Sequence, residues 1–191
     1  MKISRRLLAL TVVTAGCVST STENNWRYRT TSDQKTMIGQ MGQLLRIRSQ
    51  GVHVQFIAPQ GWKTRSCTEV ALDSHLVVTN PRSEEAFSVT VSKNPSHCSE
   101  SDLQIAYLGA IRHTYDADIR SEPEDPFHLA NGRKVTPYRC YSAYWGEHYH
   151  FIILEGAVHV TFDFSAPSLS ALRASRRNIQ RIFDSYSCER R

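Results

Sequence analysis

Three histidines and one aspartate stand at alternate positions in two neighbouring strand-like segments of the chain. They are His148, His150, His159 and Asp163. Because side chains alternate between the two faces of a strand, a turn at Glu155-Gly156 would place all four on one sheet face. In that register His148 lies opposite Asp163. Imidazole nitrogens and carboxylates are typical ligands of zinc and copper, so the spacing predicts a metal site here.

The same histidine face has two other interpretations. A face that is open to water or covered by a helix uses histidine as a half-polar side chain, without any ligand. A pH-responsive face is the third interpretation, because imidazole titrates at about pH 6.5. The sequence does not choose among them, since it assigns no partner to the second ring nitrogen of each histidine.

The signatures of common enzyme classes are missing. The sequence contains no G-x-S-x-G nucleophile motif, no H-E-x-x-H zinc-protease motif and no glycine-rich phosphate-binding loop. We therefore expect a protein that is not an enzyme and holds no cofactor. The alternative is a hydrolase assembled from distant residues, because a catalytic triad is defined by geometry and not by order along the chain.

The N-terminal segment has the layout of an export signal. A cationic start precedes an apolar run from Leu7 to Val13, and the four residues that end at Cys17 (Thr-Ala-Gly-Cys) resemble a bacterial lipobox. The alternative is an ordinary secreted protein whose cysteine carries no lipid. The sequence predicts three parts: a lipoprotein signal peptide over 1–16, a palmitoylated Cys17 with a flexible tether over 17–43, and a folded domain over 44–191.

Charge and sorting signals limit the membrane and the classes of partner that we expect. Val18 follows the predicted lipid site, and the absence of aspartate there favours the periplasmic side of the outer membrane, by resemblance to sorting in enteric bacteria. The leader holds three of the 23 basic residues and none of the 18 acidic ones, so its removal lowers the net charge from +5 to +2. A nucleic-acid partner is therefore not expected.

Four cysteines remain after Cys17, and an oxidising compartment favours two disulfides among them. They are Cys67, Cys98, Cys140 and Cys188, and they allow three connectivities. If Trp145-Gly146 is a two-residue turn, Cys140 points into the core near the final helix. That register favours a bridge from Cys140 to Cys188, which leaves Cys67 with Cys98. A reactive thiol at Cys98, just before a predicted helix, is the alternative.

Strand and helix patterns surround these residues. Gln50-Gly51 predicts the turn of a first hairpin, with Ile47 opposite Val54. Ser99 and Asp102 form a capping-box pattern that opens a helix of about fifteen residues. The apolar stripe of that helix is predicted at Ile105, Leu108, Ile111 and Tyr115. Further strands are predicted over 76–78, 86–91, 134–144, 147–154 and 157–164.

The last predicted helix has an apolar side and a basic side. Its apolar side carries Leu172, Ile179, Ile182, Phe183 and Tyr186. Its basic side carries Arg173, Arg176, Arg177 and Arg181. Such a basic side faces solvent, anionic lipid or an acidic partner. The order of strands, helix, strands and helix predicts an α+β fold with an antiparallel sheet and two main helices.

These features resemble the PsbP-like domain, including its DcrB-type bacterial lipoproteins. The resemblance spans about residues 44–187. The motifs that carry it are Pro59, Gly61 and Trp62 after a strand, Gly132 and Arg133 before three long strands, and Phe183, Asp184 and Ser185 in the closing helix. It implies an α/β/α sandwich that acts as an accessory, assembly or binding module, and it supplies no catalytic residue.

The sequence thus predicts a lipid-anchored periplasmic module that binds a protein of the cell envelope. An immunity lipoprotein that neutralises a periplasm-acting toxin is a second hypothesis, because an exported domain without enzyme motifs suits that role equally well. A metal-binding periplasmic protein, which uses the histidine face, is the third.

Overall fold

The structure is a computed structural model that describes residues 42–66, 76–94, 96–115, 119–142 and 146–190. The predicted signal peptide, the lipid site Cys17, nearly all of the tether and Cys67 lie outside these ranges. Within them no helix has the length and apolar character needed to cross a membrane. The helices are α1 (Glu100–Tyr115), α2 (Leu169–Ala174) and α3 (Arg176–Asp184).

Most described strands belong to one antiparallel sheet of seven strands. Its order is β3 (Lys63–Ser66), β4 (Leu76–Thr79), β5 (Ala86–Lys93), β11 (Val158–Ser165), β10 (Gly146–Glu155), β9 (Tyr138–Ser142) and β6 (Arg120–Pro123). A three-stranded sheet contains β1 (Gly42–Ser49), β2 (Val52–Pro59) and β12 (Ser187–Arg190). A short pair joins β7 (Phe127–His128) to β8 (Lys134–Val135).

The large sheet separates two layers. Helix α1 packs on one face, while α2, α3 and the three-stranded sheet cover the other. This arrangement confirms the predicted α+β fold with a mostly antiparallel sheet. The predicted final helix is divided at Ser175. This residue is the C-cap of α2 and the N-cap of α3, and the Ser175 hydroxyl donates a hydrogen bond to Glu85. Strands β3, β6, β7 and β12 are short and were not predicted.

The main core lies between the large sheet and the layer of α2, α3 and the small sheet. Aromatic rings dominate it, and their edge-to-face contacts include Phe56 with Phe162 and Phe151 with Phe183. The predicted apolar stripe of the final helix is buried here. Burial of each such side chain contributes about 1.5–3 kcal/mol, so this layer provides most of the stability.

The first hairpin has the predicted register. Ile47 pairs with Val54, and the turn residues Gln50 and Gly51 have φ angles of 52° and 75°. Two consecutive positive φ angles match the type I′ turn, whose twist fits the twist of the strands. Turn chemistry and alternation therefore agree over this segment.

The hairpin of β10 and β11 turns one residue later than predicted. Glu155 pairs with Val158, so the turn residues are Gly156 and Ala157. Gly156 has a φ of 70°, as the first position of a type II′ turn requires. Both strands keep their predicted faces.

The cross-strand partner nevertheless changes in this register. His150, not His148, lies opposite Asp163. The predicted pairing of His148 with Asp163 is therefore wrong, because the turn begins one residue later.

The predicted position of Cys140 is wrong. Strand β9 pairs with β10 so that Cys140 lies opposite His148, on the face covered by α1. Cys188 pairs with Val54 and packs against the main core on the other side of the large sheet. Cys98, Cys140 and Cys188 are free thiols, and the sheet lies between the last two. The predicted bridge from Cys140 to Cys188 is therefore not formed, and the partner proposed for Cys98, Cys67, lies outside the described residues.

Candidate functional site: a buried polar network beneath helix α1

Helix α1 begins as predicted but presents a different side to the sheet. The Ser99 hydroxyl accepts from Asp102 N at 3.2 Å, and Asp102 Oδ2 accepts from Ser99 N at 3.0 Å, which is a capping box. Ile105, predicted to be buried, is 69% exposed, whereas Gln104 is 4% exposed. The sheet below α1 carries polar side chains, so polar residues of the helix pack against it.

Tyr107 of α1, His148 and His150 of β10, and Asp163 of β11 form a hydrogen-bonded network in this interface. His150 Nδ1 donates to Asp163 Oδ1 at 2.6 Å, and the Tyr107 hydroxyl donates to the same oxygen at 3.0 Å. The Tyr107 ring stacks on the His150 imidazole, with centroids 3.6 Å apart. One carboxylate oxygen thus connects the helix to two strands.

The proton positions follow from this geometry. The single hydroxyl proton of Tyr107 is directed to Asp163, so the 3.1 Å contact between Tyr107 and His148 Nε2 is donated by the imidazole. His148 is therefore the tautomer with its proton on Nε2. Burial lowers the pKa of His148 to about 4, which keeps this ring neutral near pH 7.

Asp163 is the anion of the network. Burial by itself would raise its pKa, but the charge of His150 and the hydrogen bonds from His150 and Tyr107 outweigh that effect and lower the pKa. Burial also lowers the pKa of His159 to about 4. The interface therefore contains a stabilised carboxylate beside two imidazoles that resist protonation.

A second group of polar side chains extends the network toward β9 and β6. Gln104 Nε2 donates to Ser121 Oγ at 3.1 Å and contacts Cys140 Sγ at 3.8 Å. Burial raises the pKa of the Cys140 thiol to about 12, so this cysteine is not a reactive nucleophile. Burial also raises the pKa of Glu100 at the start of α1.

Several buried atoms here have no hydrogen-bond partner in the described part of the chain. They are Glu100 Oε1, Gln104 Oε1, His150 Nε2 and His159 Nδ1. An unpaired buried polar atom costs about 1–3 kcal/mol. The α1 interface is therefore held less tightly than the main core.

The structure does not support the predicted metal site. It brings His148, His150 and Asp163 together, but they bond to one another and to Tyr107. His159 lies farther along β11, opposite Leu154, and is not hydrogen-bonded to them. Over the described ranges, no three His, Cys, Asp or Glu side chains are arranged to hold a metal ion. Helix α1 covers the part of this face that carries His148 and His150.

Sequence reasoning missed Tyr107, Gln104 and Glu100. All three lie on α1, and Gln104 and Tyr107 stand three residues apart, so they share one side of the helix. That spacing was visible in the sequence. It was not recognised because a helix side is usually assigned to the core by its apolar residues, whereas this one meets a polar sheet face.

A cluster of ion pairs joins β9 to β6, to β10 and, through the contact of Glu124 with Arg176, to the start of α3. Arg139 contacts Glu122 at 2.6 Å, Glu124 at 3.2 Å and Glu147 at 3.5 Å. The Tyr149 hydroxyl donates to Glu124 Oε2 at 2.7 Å. These contacts fasten the edge of the sheet and are structural.

Comparison with known proteins shows which known fold this chain resembles. The chain is similar to a solved structure, cyanobacterial PsbP (CyanoP) from Synechocystis sp. PCC 6803, with a TM-score of 0.55. This chain has a PsbP-like fold. The similarity covers 76% of this chain and 92% of that one at 16% identity, a level at which it establishes the fold alone. No protein-family model matches the sequence, and no curated protein does.

Proposed function

We propose that this protein is a lipid-anchored periplasmic module that binds another protein, as an accessory or assembly factor of a cell-envelope complex. The side chains best suited to chemistry support a non-catalytic role. His148 and His150 are buried beneath α1, and Cys140 is a buried thiol of raised pKa. Buried groups of this kind do not contact a substrate. We therefore place the function in binding by the protein surface.

The observation that carries the proposal is the outer edge of β1. This strand has eight residues and pairs with β2 on one side, and no other described strand pairs with it. An open edge presents main-chain N–H and C=O groups that pair readily with an extended segment of a partner. Leu45 and Ile47 of this strand are buried in the main core. We infer that a partner adds a strand along β1.

The anchoring part of the proposal is supported by the sequence. The export signal, the lipobox-like residues before Cys17 and the resemblance to DcrB-type lipoproteins all favour a lipid on Cys17. About 25 residues separate Cys17 from Gly42, a length that reaches at most about 85 Å. This reach lets the domain contact envelope proteins while it stays attached to the outer membrane.

Site-specific photo-crosslinking in intact cells tests the binding surface. A photoreactive amino acid replaces Gln43 or Arg48, two exposed residues of β1, and as a matched control it replaces Arg82 in the exposed turn between β4 and β5. We expect adducts with the same envelope protein from both β1 positions and none from Arg82. Adducts from Arg82 alone, or none at β1, would contradict the proposal.

The identity of the captured partner separates the binding hypotheses. A subunit of a larger envelope assembly supports the accessory role, whereas a single toxin bound one-to-one indicates an immunity lipoprotein.

Fractionation of wild type and Cys17→Ser tests the anchor independently. We expect wild type in the detergent-extracted membrane and the variant outside it, and equal distribution of the two would contradict lipid anchoring.

A further inference from the structure

Three arginines form an exposed stripe along α2 and α3. Arg173, Arg177 and Arg181 are spaced by four residues, and Ser175 between α2 and α3 keeps a helical backbone with φ −72° and ψ −10°, so the three lie on one side. All three are exposed, while the opposite side of α3 is buried through Ile179, Ile182 and Phe183. The helices therefore present a basic surface directly above the main core.

The neighbouring Arg176 shows what a structural arginine looks like at this place. Arg176 Nη2 donates to the Asp125 carbonyl at 2.9 Å, its Nη1 lies 3.6 Å from Glu124, and its guanidinium lies 4.3 Å from the Phe127 ring centroid. The three stripe arginines make no hydrogen bond or ion pair with any residue that the structure describes. They do not contribute to the fold as Arg176 does.

The stripe is unfavourable within the isolated domain. Arg177 stands four residues from both Arg173 and Arg181, and like charges at that spacing repel by a few tenths of a kcal/mol. The nearby Asp184 carboxylate accepts a hydrogen bond from Gln180 at 2.7 Å. No ion pair within the described part of the fold offsets the repulsion, which suits a surface completed by an external anion.

The stripe lies close to the point where the chain enters the domain. Ser185, directly after α3, accepts a hydrogen bond from Ile57 N at 2.8 Å, and Ile57 pairs with Leu44 near the start of β1. Arg181 precedes Ser185 by one helical turn, about 6 Å along the axis. The end of α3 that carries Arg181 is therefore near the start of β1, the first described strand after Cys17.

We infer that the stripe of Arg173, Arg177 and Arg181 rests on the anionic phospholipid headgroups of the membrane that holds the lipid anchor. Guanidinium groups bind phosphate oxygens in paired hydrogen bonds, so three in a row match a headgroup layer. The inference rests on the proposed anchoring, because a lipid on Cys17 holds the domain within the reach of its tether from that surface. It adds an orientation in which these helices face the bilayer.

Vesicle sedimentation with a chain that carries no lipid tests the stripe separately from the anchor. The probe is the chain from residue 17 with Cys17→Ser, mixed at low salt with phosphatidylcholine vesicles that contain about one third phosphatidylglycerol. Each basic residue at an anionic surface adds roughly fivefold in affinity, so the triple variant R173Q/R177Q/R181Q should bind about 100-fold more weakly. Added salt should weaken binding of the parent chain as well.

A charge-matched variant is the control. K63Q/R82Q/K93Q removes the same charge from three exposed positions outside α2 and α3, and we expect it to bind like the parent. Equal losses in the two triple variants, or no vesicle binding by the parent, would overturn the inference without affecting the anchor. If instead the stripe variant keeps vesicle binding but loses the crosslinked envelope partner, the stripe binds an acidic protein and the lipid assignment is wrong. Unchanged circular dichroism confirms that each variant is folded.

Discussion

At the scale of single residues, the Asp163 carboxylate organises the α1 interface. It accepts from His150 at 2.6 Å and from Tyr107 at 3.0 Å, and Tyr107 in turn accepts from His148. Hydrogen bonds to an ionised acceptor are about twice as strong as neutral ones. Among the described side chains of α1, Tyr107 therefore joins the helix to both histidines and the aspartate.

Replacement of Tyr107 by phenylalanine tests this role. The change keeps the ring that stacks on His150, but it removes one donor to Asp163 and leaves the His148 Nε2 proton unpaired. We expect the free energy of unfolding to fall by about 1–3 kcal/mol in urea titrations. Tyr141, which is 46% exposed, offers a matched control, and Tyr141→Phe should change stability by less than about 0.5 kcal/mol. Equal effects of the two changes would contradict the network.

At the scale of elements, α1 is a helix whose polar side is partly buried against the large sheet. Tyr107 and Leu108 pack against Ile119 and Cys140 in a small cluster, separate from the main core. The rest of the helix–sheet contact is the hydrogen-bonded network. A small apolar contact and several unpaired polar atoms make α1 the element that we expect to separate first from the sheet.

Substitutions of Ile105 and Leu108 test which side of α1 is buried against the sheet. Leu108→Ala removes part of the small cluster and should lower the free energy of unfolding by about 1–2 kcal/mol, less than for a fully buried leucine. Ile105→Ala removes a side chain that is 69% exposed and should change it by less than about 0.5 kcal/mol. Chemical denaturation measures both. A larger loss at Ile105 would restore the helix orientation that the sequence pattern predicted.

At the scale of the whole molecule, the buried histidines link folding to pH. His148 and His159 have pKa values of about 4 in the folded protein, below the ordinary 6.5, because burial disfavours their charged form. The unfolded chain binds these protons first as the pH falls. Stability is therefore complete above about pH 6.5 and is lost progressively from there down to about pH 4.

The size of this loss can be measured at His148. A depression of its pKa to about 4 corresponds to roughly 3 kcal/mol of stability lost between neutral pH and pH 4. Urea titrations across that range should show a clearly smaller slope of stability against pH for His148→Gln. An unchanged slope for His148→Gln would mean that this ring is not held neutral.

Local features of the sequence were sufficient for several elements of this fold. The β1–β2 register follows from a turn whose two residues accept positive φ and from alternation beside it. The capping box of α1 is a contact between residues three apart. The faces of His148, His150, His159 and Asp163 were also correct, because a shift that preserves alternation leaves every side chain on its face.

Contacts between distant segments decided the rest, and only the tertiary structure contains them. The partner of Asp163 depends on where the β10–β11 turn begins, and the side of α1 that is buried depends on a polar sheet face far along the chain. Cys140 and Cys188 stand on opposite sides of the large sheet because β9 pairs with β10 while β12 pairs with β2. Short-range patterns record the preferences of neighbouring residues, whereas long-range register reflects the packing of the whole core.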